Sequence, residues 1–277
     1  MMARALQLAR RGRFWAAPNP HVGCVLTRAG TVIGEGFTQP AGSHHAEVEA
    51  LRAAGDARGA TAYVTLEPCS HRGRTGPCAQ ALAEAGVARV VVAMADPNPR
   101  VSGGGLARLR AAGVAVETGL LGAEAEAEIA GFVARMRRGR GRVRAKLAVS
   151  LDGRTAMASG ESQWITGPAA RRDGPRLRAA SCAIVTGVGT VLADDCALTV
   201  RGGELGISGL DLERALRRTP LRVVLDSRGR TPPTARILDG GSPTLLCRQA
   251  VAGPGARPVD STGAGAGRVS TDMATRV

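Results

Sequence analysis

The sequence predicts an α/β protein in two parts: a three-layer α/β domain over residues 1–140 and a shorter, incomplete α/β domain over 143–248. Short β-type runs alternate with amphipathic helical runs through both halves. A basic, glycine-punctuated stretch, Arg135-Met136-Arg137-Arg138-Gly139-Arg140, interrupts that alternation and marks a boundary near 139–143. The 277 residues also exceed the roughly 100–200 of a single domain.

Met2, Leu6 and Ala9 share one face of a helix over 2–11, with Gly12 as its stop. Val22–Thr27 and Thr31–Phe37 read as strands joined across Ala29-Gly30. His45–Ala54 follows as a helix ended by Gly55, then a strand over Thr61–Leu66. Next come a helix over Cys78–Ala85 closed by Gly86, a strand over Arg89–Ala95, a helix over Leu106–Ala112 and a strand over Val114–Glu117. Ala123–Arg138 is one further helix. In the second part the pattern predicts strands at Val143–Ser150, Cys182–Thr186, Leu221–Asp226 and Thr244–Cys247, with a helix at Ala169–Ala180. Residues 249–277, rich in Gly, Ala, Pro, Thr and Arg, show no period and read as an irregular tail. There is no internal repeat.

Hydrophobic residues make up 44% of the chain, enough for real cores, and no apolar run approaches the roughly 20 residues of a membrane span. No export signal opens the sequence, so the expectation is a soluble cytoplasmic protein without a membrane partner. Six cysteines in such a chain suggest metal binding or burial rather than disulfides, with Cys24, Cys182 and Cys247 as buried strand residues. The formal charge of +14 invites a nucleic-acid reading, but the arginines are scattered and Lys146 is the only lysine. Aromatics at 2% are too few for base-stacking platforms. A small phosphorylated substrate suits the charge better than a nucleic acid.

The informative constellation is His45-Ala46-Glu47 with Glu67-Pro68-Cys69-Ser70-His71-Arg72-Gly73-Arg74-Thr75-Gly76-Pro77-Cys78. One imidazole and two thiolates, from His45, Cys69 and Cys78, can hold a catalytic Zn2+ and leave a fourth position open for water. The metal brings that water's pKa towards neutrality. A carboxylate two residues after the histidine shuttles protons without ligating, the placement of Glu47. Cys78 opens a predicted helix, whose N-terminal dipole favours a thiolate. Glu67 reads as holding its loop rather than steering substrate. Gly103-Gly104-Gly105 lacks the lysine of a phosphate loop and reads as a turn before a helix. The usual zinc-deaminase spacing is P-C-x-x-C, whereas eight residues separate the two cysteines here.

This long-loop form resembles the bifunctional riboflavin-biosynthesis deaminase–reductases of bacteria. The resemblance is carried by Pro18-Asn19-Pro20-His21-Val22-Gly23, His45-Ala46-Glu47-Val48, the whole 67–78 stretch and Asp96-Pro97-Asn98-Pro99. It continues through Lys146-Leu147-Ala148-Val149-Ser150-Leu151-Asp152-Gly153-Arg154, Ser159-Gly160-Glu161-Ser162-Gln163-Trp164-Ile165, Val191-Leu192-Ala193-Asp194-Asp195 and Leu198-Thr199-Val200-Arg201. It implies a cytidine-deaminase-like domain followed by a dihydrofolate-reductase-like domain, and deamination of 2,5-diamino-6-(5-phosphoribosylamino)pyrimidin-4(3H)-one followed by NADPH reduction of the ribosyl group. It implies substrate contacts at Asn19, Arg74, Ser162, Leu198 and Arg201, and NADPH contacts at Ala148, Trp164, Thr190, Asp194 and Ser227. A homo-oligomer built through the reductase domains is also implied.

Cys196 and Gly76 stand where the family has proline. The family pattern continues into a substrate-binding glutamate and a glycine-rich cofactor segment that 249–277 lack, so the expectation is a frameshift or truncation near Cys247 with weak or absent NADPH oxidation. Two other readings compete: a nucleobase or tRNA deaminase, and an RNA-binding module with a structural zinc. The cysteine spacing and the second-half motifs oppose the first. A closed structural site would need a fourth protein ligand, and the sequence offers none nearby.

Overall fold

The computed structural model describes residues 1–70, 76–99 and 101–249. The chain divides into two units, Met1–Lys146 and Leu147–Val277.

The first unit begins with α1 (Met2–Arg11), which buries Met2, Ala5, Leu6 and Ala9 and leaves its arginines outside. Then come β1 (Gly23–Arg28), β2 (Thr31–Phe37), α2 (Ala46–Ala54), β3 (Thr61–Val64), α3 (Cys78–Glu84), β4 (Arg89–Val92), α4 (Gly104–Ala111), β5 (Ala115–Thr118), α5 (Gly122–Glu128) and α6 (Ala130–Arg138). The strands form one sheet in the order β2-β1-β3-β4-β5. β1 runs antiparallel to both β2 and β3, while β3, β4 and β5 are parallel. The β1–β2 turn uses Ala29 and Gly30 at φ 49° and 81°, the double left-handed geometry that matches strand twist.

Helices cover both faces of this sheet, and glycines set how closely they approach. A Cβ on Gly23 would lie 1.9 Å from the Ala5 carbonyl oxygen of α1, so only glycine permits that contact. On β2, Gly34 and Gly36 face α2, where added Cβ atoms would lie 2.3 and 2.1 Å from the Ala50 and Ala46 carbonyl oxygens. Val25, Leu26, Val64, Val90 and Val92 fill the space between the layers.

The second unit runs α7 (Pro168–Ala179), β6 (Ala183–Gly187), α8 (Val188–Asp194), α9 (Gly209–Arg217), β7 (Leu221–Leu225) and β8 (Thr244–Cys247), and its three strands form a parallel sheet in the order β6-β7-β8. Val188, Val191, Val224, Ala235, Ile237 and Leu246 make its core. Val185 and Leu225 remain exposed.

Several expectations need correction. Val143–Ser150 forms no strand, and Val143 and Leu147 are 93% and 72% exposed. A β-type run becomes a strand only when a ladder partner takes its backbone groups, and no described strand pairs with it. The helix expected over Ala123–Arg138 is two, broken at Ile129, whose φ of −105° leaves the helical region. The strands after Thr61 and Arg89 stop at Val64 and Val92, where the chain turns into site-forming loops. Cys182 is exposed rather than buried, with the Arg218 guanidinium donating to its sulfur at 3.2 Å. The helices α8 and α9 are not among the expected elements, although Val188, Val191 and Leu192 in α8 and Leu212, Ala215 and Leu216 in α9 stand at helical spacing. Among the described residues, no helix is long and apolar enough to cross a membrane.

Candidate metal centre

The site is assembled where β3 and β4 end and α2 and α3 begin. Such positions, at the carboxyl ends of parallel strands, leave loops free to carry chemistry. His45 is not inside α2, as the sequence suggested, but is its N-cap, with extended backbone at φ −78° and ψ 166°. Its carbonyl accepts from Glu49 N–H at 3.2 Å. Cys69 follows β3 on the Pro68 loop, and Cys78 is the first residue of α3.

These three side chains converge. His45 Nδ1 lies 3.2 Å from Cys78 Sγ and 3.7 Å from Cys69 Sγ. The three ligand atoms all fall within 4.8 Å of one another. A tetrahedral zinc with ordinary Zn–N and Zn–S bonds separates such atoms by about 3.6 Å, which the two nitrogen–sulfur distances bracket. The donor set is also chemically apt: a nitrogen and two soft sulfurs suit zinc. The cluster holds three such residues among the described ones, which is the number that leaves a coordination position open.

Cys78 N–H donates to Cys69 Sγ at 3.3 Å, so the first turn of α3 points at the other cysteine. Donation from the Cys78 thiol, against the opposing effect of burial and with help from His45 and the Cys78 backbone, lowers the Cys69 pKa. The same hydrogen bond, followed by burial, raises that of Cys78. The N-terminal dipole of α3 thus acts more directly on Cys69 than on the helix-opening Cys78.

Glu47 sits in the first turn of α2, only 4% exposed. Burial pushes its carboxyl pKa up to about 7, with His45 opposing and Cys69 reinforcing the shift. A dication on the three ligands would draw it down again. His44, beside the ligand, turns outward to Glu49 at 3.2 Å. Glu67 is buried and accepts from the backbone N–H groups of Asp96, Gly103, Gly105 and Leu106. Gly103 caps α4 and two of the three glycines donate to that carboxylate, so the run is a turn and not a phosphate loop.

Asn19 lies exposed in the turn beyond α1, with its N–H donating to the Ala16 carbonyl. His71 and Arg74 lie outside the described residues. In the second unit Thr190 is in α8 and Asp194 ends it, both exposed, and Ser227 follows β7. Leu198 is half-buried against the small core at φ 50°. Arg201 pairs with Glu204 at 3.3 Å. Ser162 and Ala148 lie in the irregular stretch before α7. Trp164 is 71% exposed, with the Arg171 guanidinium 4.5 Å from its centroid.

A family model for the cytidine and deoxycytidylate deaminase zinc-binding region matches residues 1–94, and one for the RibD C-terminal domain matches residues 142–253. The riboflavin biosynthesis protein RibD of Escherichia coli K12 is 58% identical over 250 residues, covering 89% of this chain and 68% of the relative. The chain belongs to the RibD family. The RibD of Haemophilus influenzae is 52% identical, over 88% of this chain and 66% of its own length. Among solved structures, RibD of Acinetobacter baumannii superposes with a TM-score of 0.81 at 52% identity, covering 89% of this chain and 68% of that one. A deaminase/reductase of Thermotoga maritima gives 0.80 at 36% identity, covering 90% and 69%. The chain therefore spans about two thirds of the length of the RibD proteins it matches. It has the RibD order of domains, a zinc-binding deaminase domain followed by a reductase-type domain.

Proposed function

We propose that the first unit is a zinc-dependent hydrolytic deaminase converting 2,5-diamino-6-(5-phosphoribosylamino)pyrimidin-4(3H)-one to 5-amino-6-(5-phosphoribosylamino)uracil in riboflavin biosynthesis. The observation that carries this is the meeting of His45, Cys69 and Cys78 beside the buried Glu47. Zinc on those ligands supplies a Lewis acid that makes water nucleophilic near neutral pH. Glu47 takes the proton that water gives up and delivers it to the amino group leaving C2 as ammonia. Asn19 is assigned to the base and Arg74 to the phosphate, on the resemblance and, for Asn19, its open position.

On the resemblance, the second unit is the part assigned to NADPH-dependent reduction of the ribosyl group, with weak or absent NADPH oxidation expected of this chain; Ser162, Leu198 and Arg201 are assigned to the substrate and Ala148, Trp164, Thr190, Asp194 and Ser227 to NADPH. Thr190 and Ser227 follow the carboxyl ends of the adjacent parallel strands β6 and β7, where α/β sheets receive cofactors. Residues 1–140 and 143–248 are the two functional domains on this reading, and assembly of like chains belongs to it.

Purified protein incubated separately with the diaminopyrimidine, cytidine and an adenosine-bearing RNA tests the assignment. Ammonia released from the first alone supports it, and release only from either of the others replaces it.

A further inference from the structure

We infer that Glu67 is a positioning residue for the zinc centre: four backbone N–H groups fix its carboxylate, and that fixes where Cys69 presents its sulfur. The inference rests on the zinc-deaminase reading and adds to it a residue that touches neither metal nor substrate.

Glu67 is 3% exposed. One carboxylate oxygen accepts from Asp96 N–H at 3.1 Å and Gly103 N–H at 3.0 Å. The other accepts from Gly105 N–H at 2.9 Å and Leu106 N–H at 3.3 Å. Gly105 and Leu106 lie in the first turn of α4, where N–H groups have no helical acceptor. The Glu67 N–H itself donates to the Met94 carbonyl at 3.0 Å. One residue is thus tied at once to the loop after β4 and to the start of α4.

Only Pro68, with its fixed φ, separates Glu67 from the ligand Cys69. A Cβ on Gly105 would lie 1.9 Å from the Pro68 carbonyl oxygen, so α4 meets the ligand loop backbone to backbone. Beyond that contact Cys69 Sγ accepts Cys78 N–H and faces His45 Nδ1. A displacement of Pro68 therefore passes directly into the sulfur–nitrogen distances of the metal centre.

The chemistry requires a carboxylate rather than a side chain of that size. Each oxygen takes two donors, and a glutamine placed either way sets its NH2 group against two N–H groups. Both oxygens are also committed and buried, which leaves no acceptor to steer a substrate.

Zinc affinity by chelator competition, and the absorption spectrum of the cobalt(II)-substituted full chain, test this. Glu67→Gln is expected to weaken zinc binding about ten- to hundredfold and to shift the cobalt d–d and thiolate charge-transfer bands. Leu6→Ala truncates the core on the α1 side and controls for lost stability: its melting temperature falls while affinity and spectrum stay with the parent. Should Glu67→Gln not fold, Gly105→Ala, which presses a methyl against the Pro68 carbonyl, carries the same readouts. A folded Glu67→Gln with parental affinity and spectrum overturns this inference alone. A parent chain that takes up no zinc overturns the deaminase reading and this inference with it.

Discussion

Gly36 of β2 and Ala46 of α2 meet so closely that a Cβ on Gly36 would sit 2.1 Å from the Ala46 carbonyl oxygen. Ala46 lies between the ligand His45 and the buried Glu47, so this contact seats both functional groups. Gly36→Ala is expected to push the start of α2 off the sheet, costing about 1–3 kcal/mol as overpacking does. Urea unfolding reads the stability loss, and metal analysis reads the accompanying fall in bound zinc. An unchanged unfolding midpoint would show that α2 yields freely.

Glu47→Gln keeps size and burial but removes the proton carrier. Zinc content is expected to stay at the parental level while ammonia release falls about 10²–10⁴-fold. Substantial remaining turnover would take Glu47 out of this role.

Cys78→Ser removes one of three ligands from a site whose donor atoms already lie within 4.8 Å. Its zinc content is expected to drop well below that of the parent by metal analysis. Chelation of the parent should abolish deamination reversibly, with zinc restoring it. Activity that survives complete metal removal contradicts the mechanism.

His21 supplies a pH dependence away from the metal ligands. Burial lowers its pKa to about 4, with Glu128 opposing and Arg13 adding to the shift. The folded state then holds the ring neutral, and the unfolded chain binds its proton first as pH falls through about 6.5. This contribution is fully present above that pH and is lost as pH falls towards 4. Unfolding midpoints should decline over that window, and His21→Gln should flatten the decline. Equal slopes for the two proteins would count against it.

Much of the candidate site was legible because its residues carry chemistry in their types and spacing. His45, Glu47, Cys69 and Cys78 stand in an order that few purposes other than zinc-dependent hydrolytic deamination explain. Glu67 was legible only as a residue on a loop. Its four donors lie 29 to 39 residues further along the chain, and no local pattern announces them.

The alternation of apolar and polar residues determined the strands and helices of the first unit to within a few residues, because side-chain period is a local property of the backbone. Tertiary structure alone decided the sheet order, the release of His45 from α2, and the absence of a strand at Val143–Ser150. Each depends on which distant backbone group takes up a hydrogen bond or excludes a Cβ. That choice is made by packing in three dimensions, after the local pattern has already been written.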